Sequence, residues 1–234
     1  MRQLPLFFII AILHTMRHLV SFLWVGIGAA SFFAMPTVAQ GLPAVLLSVP
    51  FTSQAPTGDW SDPHFQNGCE EASIIMAMHW VRGTTFTSAE VVNEIMALAE
   101  YEERRFYTFD DISVRDMQAL LAEYYSHTNA TAVRGIILTD IKRELNSGNL
   151  VIVPVNGRLL GNPFFTSPGP LHHMVVIRGY DDATQQFITN DPGTRRGELY
   201  RYSYQKLFDA IREYPRGDHR YIPMTMKSML VVRR

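Results

Sequence analysis

The sequence predicts an α+β fold, with helices in its first half and an antiparallel sheet in its second. Three observations carry this. From Cys69 to Leu145 the apolar residues recur at three- and four-residue spacing, as on the buried side of a helix. From Asn149 onward they form short, unbroken, β-branched runs instead. Two of those runs are separated only by "DDAT", a hairpin connection.

The elements follow in order. After residue 40, "LPAVLLSVPFTSQ" reads as an extended segment leading into a polar loop, "APTGDWSDPHFQNG", rich in turn formers. A helix starts at Cys69, repeats through Ala72, Ile75, Met76 and His79, and stops at Gly83. Thr87-Ser88-Ala89-Glu90 is a capping box opening a second helix through about Glu102. Ser113 to Asp116 opens a third, carrying Met117, Leu120 and Leu121, and a shorter helix follows Thr139 and ends before Gly148. Strands are expected at "NLVIVPVN" (149–156), "HHMVVIRGYD" (172–181) and "QQFITND" (185–191). A helix near Ser203 and a last strand, "SMLVVRR", complete the chain. The loop "GRLLGNPFFTSPGPL" (157–171) is long for a connection, and such loops are functional or disordered. Residues 40–234 contain no repeat, low-complexity segment or linker, and read as a single domain.

Composition narrows the function. The 234 residues are 47% hydrophobic and 18% charged, with net charge −1. No lysine/arginine block is present to neutralise phosphates, which argues against nucleic acid as a partner. No histidine/cysteine cluster has metal-ligand spacing and no glycine-rich phosphate loop appears, so neither a metal nor an organic cofactor is expected.

Residues 1–39 are different. An apolar run at 4–13 and a longer one at 19–39 flank the basic break "HTMRH". The second run ends in "PTVAQ", which sets Thr37 and Ala39 at the −3 and −1 positions of a cleavage site before Gln40. A charged start, an apolar middle and a small-residue exit make a secretory signal peptide, with Met16 as its initiator. An uncleaved membrane anchor is the alternative, since about 20 apolar residues span a bilayer. Either way the remainder is exported, periplasmic or extracellular, with membrane association through residues 1–39 if they are retained.

Export gives weight to the single cysteine, Cys69, which has no partner for an internal disulfide. A helix N-terminus favours a thiolate, and Gly68 leaves room for a substrate carbonyl to approach. By itself this position leaves an inert buried thiol ahead. A thiol nucleophile needs a base and a group to orient it. His172 and His173 begin a strand, with His173 on the face of Val175 and Ile177 and His172 on that of Met174 and Val176, so one of the pair is expected to face the site. Asp181, Asp182 and Asp191 are candidates for the acid. A hairpin centred near residue 183 brings Asp191 beside His173.

"VPFTSQ", "GCEEASIIMAMHW", "HHMVVIRGYD" and "FITNDPG", in this order, resemble the standalone, secreted branch of the double-glycine-leader peptidases, the peptidase C39-like group. The likeness runs from about residue 47 to residue 212. It implies a papain-like fold, with the N-terminal helices packed on the C-terminal sheet, and a cysteine peptidase acting on a peptide or protein. By the same resemblance Cys69 is the nucleophile, His173 the base, Asp191 its orienting acid and Gln54 the oxyanion donor. Gln66, three residues before the cysteine, is the second candidate for that donor. Two features depart from the family pattern: a second acid, Glu71, follows the nucleophile, and the 157–171 loop is long and apolar. Acyl transfer on the same fold, or a binding module without catalysis, are the rival functions.

Overall fold

The computed structural model describes residues 44–217 and 226–234; the signal or anchor segment, 1–39, lies outside them. In chain order the elements are β1 (Ala44–Leu46), α1 (Pro63–Gln66), α2 (Cys69–Arg82), α3 (Ser88–Phe106), α4 (Val114–Glu123), β2 (Ala130–Arg134) and α5 (Leu138–Asn146). Then come β3 (Leu150–Val155), α6 (Gly157–Leu160), β4 (His173–Asp181), β5 (Gln186–Asn190), β6 (Tyr200–Ser203), α7 (Tyr204–Ala210) and β7 (Ser228–Val232).

The strands pair antiparallel in the order β2-β7-β3-β4-β5-β6, and β1 lies against the far end of β4. The central strands β7, β3 and β4 are buried almost throughout, because helices cover both faces of the sheet. Alternate residues divide between two cores. Leu150, Ile152, Met174, Val176, Leu230 and Val232 pack with α2, α3 and α4. Val151, Val153, Val155, Val175, Ile177, Met229 and Val231 pack on the other side with α5 and α7. Burial on both faces is why these strands read as unbroken apolar runs rather than as alternating ones.

The strands that the sequence left out are the two edges. β2 ("ATAVR") and β6 ("YRYS") each have one partner and are only partly buried, so neither carries an apolar run. The helix ends match their signals. Thr87 and Ser113 each close a capping box, and Gly83 ends α2 in the left-handed conformation at φ 67°. The 157–171 loop opens with a short helix, α6, capped by the Asn156 side chain.

Two fastenings assemble the site. The Asn190 amide at the end of β5 donates to the carbonyls of Val49 (3.4 Å) and Pro50 (3.1 Å). The Gln54 N–H donates to Pro192 O at 2.9 Å. Together they hold "VPFTSQ" against "NDPG", two segments some 140 residues apart in the chain. Gly179 permits the β1 crossing, since a Cβ there would lie 2.1 Å from Val45 O.

Candidate active site

Cys69 is the first residue of α2, directly after Gly68, and is buried. Gly68 is needed for packing rather than for substrate approach: its Cβ would meet the His64 carbonyl at 2.6 Å. The thiol donates to Glu70 Oε2 at 2.9 Å, and the Tyr214 hydroxyl donates to Glu70 Oε1 at 2.7 Å. No hydrogen bond joins Cys69 to His173 in this state. Burial pushes the thiol well above its usual range, with the Glu70 carboxylate beside it and then Asp111 and Glu71 adding to the effect. The helix N-terminus was expected to favour the thiolate. Desolvation and three nearby acids outweigh it.

The imidazole–carboxylate pair forms. His173 Nε2 lies 2.7 Å from Asp191 Oδ1, and both residues are buried. In the hairpin Val176 pairs with Asn190, so the register continued past the ladder sets position 193 opposite His173. Asp191 is therefore two residues away on the same face, and its side chain reaches the ring diagonally. Its other oxygen accepts from the Tyr202 hydroxyl at 2.5 Å and the Asn162 amide at 3.2 Å, while Oδ1 also accepts from the Gly193 N–H at 3.0 Å. Burial alone would raise the Asp191 carboxyl, but His173 and these donors outweigh it and hold it below its usual range. With Nε2 engaged, Nδ1 is the ring nitrogen left for a thiol.

Both histidines line the cleft, where one was expected. His172 Nδ1 is 2.8 Å from Asp111 Oδ2, and its ring stacks on Tyr214 with centroids 4.5 Å apart. Asp111 adopts a left-handed φ of 48°, which an aspartate tolerates better than most residues. Two acid–imidazole pairs thus open onto the cleft that Cys69 lines, one from each face of the sheet. His173 shares its face with the α5 and α7 core, whereas His172 shares the face of α2, which carries Cys69. Sequence reading missed Asp111 and Tyr214, which carry no motif, and the hydrogen bond by which Glu70 holds the thiol. The one visible signal was the pair of acids after the cysteine.

Gln54 lines the same cleft, but its Nε2 donates to the carbonyls of Phe65 (3.0 Å) and Gln66 (2.7 Å). Both amide hydrogens are engaged, and the buried Oε1 has no hydrogen-bond partner. The Gln66 side chain is exposed on the cleft wall. The cavity measures about 840 Å³ and is walled by Arg158, Phe164 and Phe165 on α6 and its loop, by Trp60 ahead of α1, and by Gly193 to Arg196. Phe165 meets the His173 ring edge-on at 5.3 Å between centroids. Among the described residues no group of acids, histidines and cysteine is placed to hold a metal ion.

A cysteine heading a helix, at one cleft with an imidazole–carboxylate pair at a sheet end, is the arrangement used by the cysteine-peptidase class. The chain belongs to the Peptidase_C39 like family, whose model matches residues 46–220. It is similar to the crystal structure of a Bacillus anthracis protein provisionally called a C39-like peptidase. That match has 19% identity and a TM-score of 0.45, and covers 82% of this chain and 98% of the other. A comparison with curated proteins returned no match.

Proposed function

We propose that this chain is an exported thiol hydrolase that cleaves an amide bond in a peptide or protein through Cys69, His173 and Asp191. The observation that carries this reading is the buried His173–Asp191 pair opening onto the cleft that Cys69 lines. In the reaction Cys69 turns from Glu70 and gives its proton to His173 Nδ1, and the thiolate attacks the carbonyl carbon. The oxyanion is met by the Cys69 N–H at the helix start and by Gln54, which exchanges one carbonyl contact for it. The imidazolium then protonates the leaving amine. Water, deprotonated by the same ring, hydrolyses the thioester, and Asp191 keeps the ring in the required tautomer.

One observation favours a second assignment of the base. His172, with Asp111, lies on the same face of the sheet as α2, and through Tyr214 it is linked to the carboxyl that holds the thiol. Variants of each histidine separate the two. The His173→Ala substitution should lower peptide hydrolysis by about 10²- to 10⁴-fold, the range for loss of a general base, and remove the acceleration of iodoacetamide labelling at Cys69. If His172→Ala does this and His173→Ala does not, the assignment is reversed. If neither alters the labelling profile, the thiol has no catalytic partner.

Hydrolysis is distinguished from acyl transfer by adding a competing amine and looking for its conjugate among the products. Export rests on residues 1–39, and the N-terminal peptide of the protein recovered outside the cytoplasm should begin at Gln40. Intact residues 16–39 in that material would mean an anchor.

A further inference from the structure

The walls of the cleft carry more positive charge than the chain as a whole. With 21 basic and 22 acidic side chains the protein is nearly neutral. The charged residues lining this cavity, histidines aside, are Arg158, Arg195, Arg196 and Asp111, and the last is engaged by His172. None of the three guanidinium groups makes an ion pair with a carboxylate among the described residues. All three are exposed, and two of them have a neutral partner. Arg158 Nε donates to Gly169 O at 3.1 Å. The Arg196 guanidinium lies 4.8 Å over the Phe164 ring. The Arg195 guanidinium lies against Gly58, where a Cβ would come within 2.1 Å of its Nη2.

Three guanidinium groups without a carboxylate partner at one opening suit an anion, since the planar fork of arginine matches a carboxylate through two parallel hydrogen bonds. A concave site with one sign of charge also concentrates ligands of the other sign. Beside them Trp60 and Phe164 are part-exposed, at 37% and 41%, and offer apolar surface to a side chain. We propose that the cleft selects peptides bearing a carboxylate next to an apolar residue, with Arg158, Arg195 and Arg196 taking the carboxylate. This rests on the amide-hydrolase reading for its location and adds the substrate class. The carboxylate is either an aspartate or glutamate side chain or a free C-terminus, since both present the same group.

The test uses the full chain carrying Cys69→Ala, so that binding is read without turnover. Fluorescein-labelled peptides sharing one apolar core carry Glu, Gln or Lys beside it, each with an acid or an amide C-terminus, and anisotropy is followed at low salt and at high salt. The expected result is about 10-fold tighter binding of the Glu peptides than of their Gln counterparts, as a few partly exposed pairs would supply, with the Lys peptides weakest. The difference should shrink in high salt and disappear when Arg195→Glu and Arg196→Glu are combined. Preference for a free acid C-terminus regardless of the internal residue would identify the α-carboxylate as the recognised group. Equal affinity for Glu, Gln and Lys peptides, or no binding of any, overturns the proposal. Labelling of Cys69 in the unsubstituted chain reports on the hydrolase reading separately. Charge-blind binding with His173-dependent labelling removes the substrate class alone. Charge-selective binding with no such labelling removes the hydrolase reading and leaves the anion site.

Discussion

The Cys69 thiol donates to Glu70, the next residue in the chain, at 2.9 Å, and the same carboxyl accepts from Tyr214 through its other oxygen. Burial lifts the Glu70 carboxyl to about 7, with Asp111 adding to the rise and the two donors opposing it. Near neutral pH this group therefore changes charge beside the nucleophile. An anion there disfavours the thiolate, because two like charges would share a desolvated site.

It follows that Glu70→Gln lowers the pH at which Cys69 becomes reactive. The amide still accepts from Tyr214 but carries no charge. Iodoacetamide labelling followed from pH 5 to pH 10 should show a midpoint at least about one unit lower, a change worth 1.36 kcal/mol. An unmoved midpoint would mean that Glu70 does not control the thiol.

Gly193 is required by the imidazole. A Cβ there would lie 2.8 Å from His173 Cε1 and 2.9 Å from Phe165 Cε1, closer than packed atoms approach. Gly193→Ala should displace the ring from its place between Phe165 and Asp191 and cut kcat by about 10-fold or more, since small misplacements at a reacting group have large effects. The thermal midpoint should move far less, and unchanged kcat would show that the ring has slack.

The two glutamines should separate sharply. Removing an oxyanion donor reduces kcat by about 10²–10³, and that loss is expected for Gln54→Ala. Gln66→Ala, exposed on the wall, should act mainly on KM. Because Gln54 also satisfies the Phe65 and Gln66 carbonyls, thermal stability is measured alongside; a stability loss with kcat intact would make it a loop clamp only.

Stability should rise on mild acidification. Glu70 is raised to about 7, and Glu71 and Glu102, fully buried with both carboxyl oxygens unpartnered, are raised well above the usual range, Glu71 by burial and the Glu70 carboxylate, Glu102 by burial and then Glu71 and Glu70. From about pH 4.5 to 7 and beyond, the folded state holds protons that the unfolded state has released, so stability falls as pH rises through that window. Asp191 has the opposite sign: its carboxyl is depressed, and its contribution is lost only as pH falls below the ordinary aspartate range. The thermal midpoint should be higher at pH 5 than at pH 8 by at least about 3 °C, the equivalent of about 1 kcal/mol for a chain of this size. Glu102→Gln should flatten the profile; an unchanged slope would locate the pH dependence elsewhere.

Much of the fold and part of the candidate site were legible in the sequence. The three doubly buried strands, the two capping boxes and the Gly83 stop are local signals, set by which side chains tolerate burial and which satisfy free helix N–H groups. The His173–Asp191 approach was also readable, because an antiparallel hairpin joins residues near in sequence and its length sets which ends meet. The edge strands β2 and β6 were not, since half-solvated strands need no apolar run.

Tertiary structure decided the burial of Cys69 and its more distant neighbours. Glu70 accepts from Tyr214, 144 residues further on, and His172 pairs with Asp111 across 61. A thiol's ionisation depends on how many acids surround it and on how little water reaches it. Glu70 and Glu71 stand beside the cysteine in the sequence, but the burial of the thiol and the approach of Asp111 exist only once distant segments have packed, so a helix N-terminus that favours the thiolate holds a thiol pushed well above its usual range.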